Sequence, residues 1–131
     1  MKTAYIDSSF LVAILFGEAE VHRYKKQLKT LDKLVSSSLL VAEVLSAAKR
    51  EAVEFEPVRR MLETVDLLYP GESNIDLLED ILKIDYLKGA DAFHLSSALW
   101  FAGKNVNEVA FLTLDKKQKE VAGKLGFRVE F

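Results

Sequence analysis

The sequence predicts an α/β domain, a mostly parallel central sheet of about five strands flanked by helices. Three observations carry that expectation. Short apolar runs of strand length alternate with helix-length segments along the whole chain. The strand runs are apolar nearly throughout, as in a sheet covered on both faces. Turn and cap residues fall between the runs: Asp7-Ser8-Ser9, Ser37-Ser38, Pro70-Gly71, Gly103 and Gly126. With 131 residues, two Pro, six Gly, no internal repeat and no linker, residues 1–131 read as a single domain.

Thr3 to Ile6 is the opening strand, cut short by three helix-capping residues, and a helix begins at Phe10. Ala19 to Leu31 has Val21, Tyr24, Leu28 and Leu31 at helical spacing, with lysines outside. Leu34 to Ser36 is a second strand, and Ser37 or Ser38 caps an apolar helix from Leu39 to about Ala52. Pro57 suits the first turn of the next helix, which ends near Val65 and Asp66. Leu67 to Tyr69 is a third strand. Ser73 to Asp76 caps a helix running to about Leu87, and Ala90 to Ala102 is another, closed by Gly103. Val109 to Leu114 is the most strongly patterned strand, Lys116 to Leu125 the last helix, and Phe127 to Phe131 a final alternating strand.

Composition narrows the function. An apolar content of 50% excludes disorder. The absence of Cys removes disulfides, thiolate metal sites and Cys nucleophiles together. The longest apolar run, Phe10 to Phe16, is far short of the ~20 residues of a membrane span. A soluble cytoplasmic domain with no membrane association is expected. With 18 Lys and Arg against 20 Asp and Glu, the net charge of −2 gives no general attraction for nucleic acid. Any such binding must come from a local patch or a metal.

Four carboxylates stand out by their neighbours. Asp7 ends the first strand and Asp115 the best one; each reads equally as a helix N-cap. Asp91 lies in the first turn of a helix, where the dipole alone would justify it. Glu43 is hardest to dismiss: it interrupts Leu39-Leu40-Val41-Ala42 and Val44-Leu45, and Lys49 and Arg50 are too far along for an i,i+4 pair. In an open parallel sheet, ligands bind outside the carboxyl ends of the strands, and all four acids fall at that edge. Four converging carboxylates repel unless a cation neutralises them, and an all-oxygen set selects Mg²⁺ or Mn²⁺. Carboxylate-bound Mg²⁺ keeps waters and recruits phosphate oxygens, the chemistry of phosphodiester hydrolysis.

The remaining candidates are weaker. His94, one turn from Asp91, either orients it or packs beside Phe93 and Leu95. His22 is expected in solvent, and Trp100 and Phe101 in the core. Lys116, Lys117 and Lys119 follow Asp115 directly; they are either a solvated face or phosphate contacts beside the metal. The Phe10–Phe16 run is either a groove wall beside the site or a helix wholly buried under the sheet. No G-x-S-x-G, Gly-rich phosphate loop or H-E-x-x-H occurs.

Taken together, Tyr5-Ile6-Asp7-Ser8-Ser9, Val41-Ala42-Glu43-Val44, Ala90-Asp91-Ala92-Phe93-His94-Leu95-Ser96-Ser97-Ala98 and Leu112-Thr113-Leu114-Asp115 resemble the PIN-domain family, most closely the single-domain VapC-type toxin ribonucleases. Order and approximate spacing agree over essentially the whole chain. The resemblance implies a PIN-like fold, Mg²⁺- or Mn²⁺-dependent endoribonuclease activity on RNA and a cognate antitoxin that blocks the site. A homodimer is expected as well. Asp7, Glu43, Asp91 and Asp115 match the acidic positions, and Ser9 and Thr113 the small hydroxyls near the metal. On this reading Asp7 and Asp91 ligate directly, Glu43 and Asp115 complete the set or hold its waters, and Lys116 and Lys117 join Ser9 and Thr113 in positioning substrate. One metal and two remain equally open. RNA processing without an antitoxin is the nearest alternative. A phospho-acceptor receiver module is the competing class, but Asp7 lacks the adjacent acid it needs, and Glu43 and Asp91 go unexplained.

Overall fold

The computed structural model describes residues 2–17, 20–71 and 74–130. Its order is β1 (Thr3–Ile6), α1 (Ser8–Leu15), α2 (Val21–Lys29), β2 (Lys33–Ser37), α3 (Leu39–Arg50), α4 (Phe55–Leu62), β3 (Asp66–Leu68), α5 (Asn74–Ile84), α6 (Gly89–Ala102), β4 (Val109–Leu112) and α7 (Lys116–Leu125). The four strands form one parallel sheet in the order β3-β2-β1-β4.

Alternation along the strands divides the core. Tyr5, Val35 and Phe111 face one side and pack with Ile81 of α5, Leu95 and Ala98 of α6, and Val121 of α7. Ala4, Ile6, Ala110 and Leu112 face the other and meet Leu11 and Ile14 of α1, Leu40 and Val44 of α3, and Val58 of α4. Burial on both faces explains why β1 and β4 read as unbroken apolar runs. The chain lays β1, β2 and β3 in one direction, then places β4 on the opposite flank of β1. The carboxyl ends of β1 and β4 are therefore the point where the strand order reverses.

Several expectations are corrected. The sheet has four strands rather than five: after Gly126, in the left-handed region at φ +106°, the last segment makes a single parallel bridge, Ala110 to Arg128. Its backbone bonds are Phe111 N–H to Arg128 (2.8 Å) and Arg128 N–H to Val109 (3.1 Å). Phe127 turns inward instead, its ring 5.7 Å from Phe111. Phe131 of the expected strand, Ser73 of the expected cap and Ala19 of the expected helix start lie outside the described residues. Tyr69 falls past β3 and is exposed, because Pro70 follows it. Ser38 occupies the cap position of α3 without a side-chain bond, and Ser37 is buried in β2.

Trp100 is not core; it is 44% exposed, since α6 carries more apolar residues than its contacts cover. The Phe10–Phe16 run belongs mainly to the core: Phe10, Leu11, Ala13 and Ile14 are buried, and Val12, Leu15 and Phe16 pack against the same cluster. Among the described residues, no helix is long and apolar enough to cross a membrane.

Candidate active site

Asp7 is placed by the end of β1. Its N–H still bonds the Leu112 carbonyl of β4 (2.9 Å), and its side chain caps α1. One carboxylate oxygen, Oδ2, accepts from Ser9 N–H (3.2 Å) and the Ser9 hydroxyl (2.7 Å). Thr113 Oγ1 lies 3.1 Å from the same oxygen and 2.8 Å from Gln118 Oε1, with one proton to give between them. The other oxygen, Oδ1, is buried and has no hydrogen bond among the described residues. Cap and candidate ligand are thus one residue: one oxygen holds the turn and the other is left over.

Gln118, fully buried, ties the next pair together. Its Oε1 competes with Asp7 for the Thr113 proton, and its amide Nε2 donates to the Asp91 backbone carbonyl (3.2 Å), joining the end of β4 to the start of α6. Asp115 caps α7, accepting from Gln118 N–H (2.8 Å), and is exposed. Asp91 sits half-buried in the first turn of α6. Burial, then the negative charges of Asp7, Asp115 and Glu43, push its carboxyl above the ordinary Asp range. The other three acids singled out in the sequence therefore all act on Asp91 through space.

Glu43 projects from α3 toward α6, not toward Lys49 or Arg50. Its Oε1 is 2.5 Å from His94 Nε2, which also lies 3.8 Å from Asp7 Oδ1. His94 is fully buried and bonds Tyr5 Oη through Nδ1 (2.7 Å), while Ser37 N–H donates to Tyr5 Oη (3.1 Å). Burial pushes the Tyr5 hydroxyl up to about 12, so it keeps its proton. That proton is directed at Nδ1, which places the ring proton on Nε2, donated to Glu43. His94 is therefore buried, as the packing alternative has it, and of the acids it bonds Glu43 rather than Asp91.

Gln118 and Tyr5 carried no sequence signal, because their partners lie 27 and 89 residues away. Lys116 is exposed beside Asp115. Lys117 pairs with Asp85 (3.5 Å) instead of pointing freely at the acids. A separate apolar groove of about 550 Å³ between α3, α4 and β3 contains none of the four carboxylates.

The PIN-domain profile matches residues 4–124, nearly the whole chain and all of this edge. The chain belongs to the PIN-domain family. It is 32% identical to Ribonuclease VapC46 of Mycobacterium tuberculosis (strain ATCC 25618 / H37Rv), across 98% of this chain and 97% of that protein. The similarity to a ribonuclease thus runs along nearly the whole of both chains.

Whether this PIN domain fits a metal is decided by its donors. Among the described residues no three His, Cys, Asp or Glu side chains form a ready-made cage. Mg²⁺ does not need one, since it keeps several waters and takes one or two carboxylates. The buried Oδ1 of Asp7, with no hydrogen bond among the described residues, and the carboxylate of Asp91, repelled by its acidic neighbours, are such donors, so a hard cation fits. Without metal, ionised Asp91 costs stability. Its raised value helps the fold below the unfolded-state pKa, and that help is lost as pH rises through the folded-state value. In EDTA, lowering the pH from neutral toward the Asp range should narrow the melting-temperature gap between the parent and Asp91→Asn. A gap independent of pH in calorimetry would remove the repulsion argument.

Proposed function

We propose that this PIN domain is a Mg²⁺- or Mn²⁺-dependent endoribonuclease that hydrolyses RNA phosphodiester bonds, and that it is the toxin of a type II toxin–antitoxin pair. The single observation that carries the hydrolytic reading is the divided carboxylate of Asp7: one oxygen accepts from Ser9 and lies within reach of the Thr113 hydroxyl, and the other is buried with no hydrogen bond among the described residues, beside three more acids. On this reading Asp7 and Asp91 hold the metal, and Glu43 and Asp115 complete the set or hold its waters. When bound, the metal supplies a nucleophile at neutral pH and charge stabilisation for the scissile phosphate. Ser9 and Thr113 hold Asp7 in one rotamer, His94 does the same for Glu43, and Lys116 and Lys117 attract the phosphate backbone.

The purified chain should cut single-stranded RNA with Mg²⁺ or Mn²⁺ and stop in EDTA. It should also melt higher with Mg²⁺, by about 2.7 kcal/mol of added stability at a hundredfold excess over Kd. Cleavage that persists in chelator would sink the metal-dependent reading.

The toxin role is supported by the similarity to Ribonuclease VapC46 and by an acidic edge open enough for a partner's Arg to reach it. Co-purification from the native host should give a heteromeric complex without nuclease activity that regains it as Mg²⁺ rises. Free, fully active protein would instead assign it to RNA processing. The elution volume of that free chain tests the proposed homodimer.

A further inference from the structure

Tyr86 lies in the four-residue connection between α5 and α6, and at 70% exposure it is one of the two most exposed large hydrophobic side chains among the described residues. The connection itself is not loose. Leu87 is 4% exposed and locked into the core, and the Asp85 carboxylate accepts from Tyr86 N–H (2.7 Å). The same carboxylate oxygen holds Lys117 Nζ at 3.5 Å, and that ammonium lies 5.1 Å from the centre of the Tyr86 ring. Lys117 against one face leaves the opposite face open to solvent.

This arrangement borders the acids. Tyr86 comes five residues before Asp91, and Lys117 two residues after Asp115. On the other flank of the α7 start, Arg23, Tyr24, Lys116 and Lys119 line a recess of about 290 Å³ whose wall includes Thr113, Leu114 and one acid, Glu130, 3.8 Å from Lys119. Arg23 pairs outside it with Glu20 (3.2 Å), and the cations outnumber the acid three to one. A strand crossing the acids would thus meet an aromatic face on one side and a cationic recess on the other, the combination that binds single-stranded nucleic acid.

We propose that the open face of Tyr86 is a base-stacking subsite for single-stranded RNA, with Lys117 at its back drawing in the adjoining phosphate. This inference rests on the ribonuclease reading above and adds to it where the substrate lies. A base is favoured over a protein side chain because the ring is backed by a cation and flanked by further cations, while the exposed apolar residues of α5, Ile75 and Leu82, end with that helix.

Steady-state cleavage of a single-stranded RNA oligonucleotide in Mg²⁺ by the full chain tests the proposal. Tyr86→Leu should raise KM about tenfold, the loss of one stack, and leave kcat within about twofold. Tyr86→Trp, which keeps an aromatic face, should restore KM. Abasic nucleotides walked along the oligonucleotide should locate the stacked base: at one position the abasic substrate costs the parent about tenfold and Tyr86→Leu nothing more. An unchanged KM in Tyr86→Leu with cleavage intact overturns the subsite and leaves the ribonuclease reading in place. The same unchanged KM with loss of self-association assigns the ring to a protein interface and also overturns it. A parent chain that neither cleaves the oligonucleotide nor binds it in EDTA overturns the ribonuclease reading and the subsite together.

Discussion

Asp91→Asn should abolish RNA cleavage while leaving the fold at least as stable as the parent. The activity side follows from losing a carboxylate that, on the proposed reading, holds the metal. Charge stabilisation of that kind supplies several kcal/mol, and about 4 kcal/mol is a loss of roughly 10³-fold. The stability side is a contest between two terms. A negative charge in the first turn of α6 is favourable by about 0.3–1 kcal/mol through the helix dipole. Against it stand burial and the charges of Asp7, Asp115 and Glu43, and the raised carboxyl shows that these win. The Gln118 contact is to the Asp91 backbone, so Asn keeps it. Calorimetry in EDTA beside a cleavage assay reads both sides. A stability loss of about 2–5 kcal/mol, the size of a core cavity, would make Asp91 a structural residue.

The second large effect is expected at His94→Leu, which should weaken the fold and the activity together. Leu is close in volume, so the cavity term is small. The cost lies in the buried Tyr5 hydroxyl and the Glu43 carboxylate, each deprived of its ring nitrogen. An unsatisfied buried polar group costs about 1–3 kcal/mol, several degrees in melting temperature. Cleavage should fall about 10- to 100-fold, the usual effect of removing a group that orients a ligand. A positioning role is separated from a merely structural one by a double-mutant cycle. In a Glu43→Gln background, His94→Leu should cost little further kcat/KM. Full additivity would mean that His94 acts elsewhere.

Much of this architecture is legible in the chain because a doubly covered sheet writes itself as apolar runs, as at Ala4–Ile6 and Val109–Leu112. The acids were legible for the same reason: Glu43 is conspicuous among Leu40, Val41, Val44 and Leu45 whatever its partner. What could not be read is what depends on register across the sheet and between helices. Tyr5 reaches His94 only because β1 is central and α6 packs over it, and Gln118 reaches Asp91 only because α6 and α7 begin at the same edge. His94 did leave a local trace, since it stands within a run buried from His94 to Ala98, where a polar ring must find partners. The fifth strand was overread because Phe127 and Val129 alternate correctly, yet the backbone beside them makes one bridge.

The pairing of β1 with β4 sets the moment at which the acidic edge is assembled. Asp7 is made well before its partners: the hydroxyl of Thr113 that braces it, the Gln118 that fixes Asp91 and the Asp115 beside them come more than a hundred residues later. Until β4 docks, β1 has an open flank where Leu112 should bond it, and Asp7 is an ordinary helix cap on a half-built sheet. Contacts of such long sequence separation form late, because closing the loop costs entropy before the contact repays it. A nascent or truncated chain lacking β4 therefore lacks the assembled acidic edge. That edge is completed as one of the last events of folding, once β4 has been made and docked.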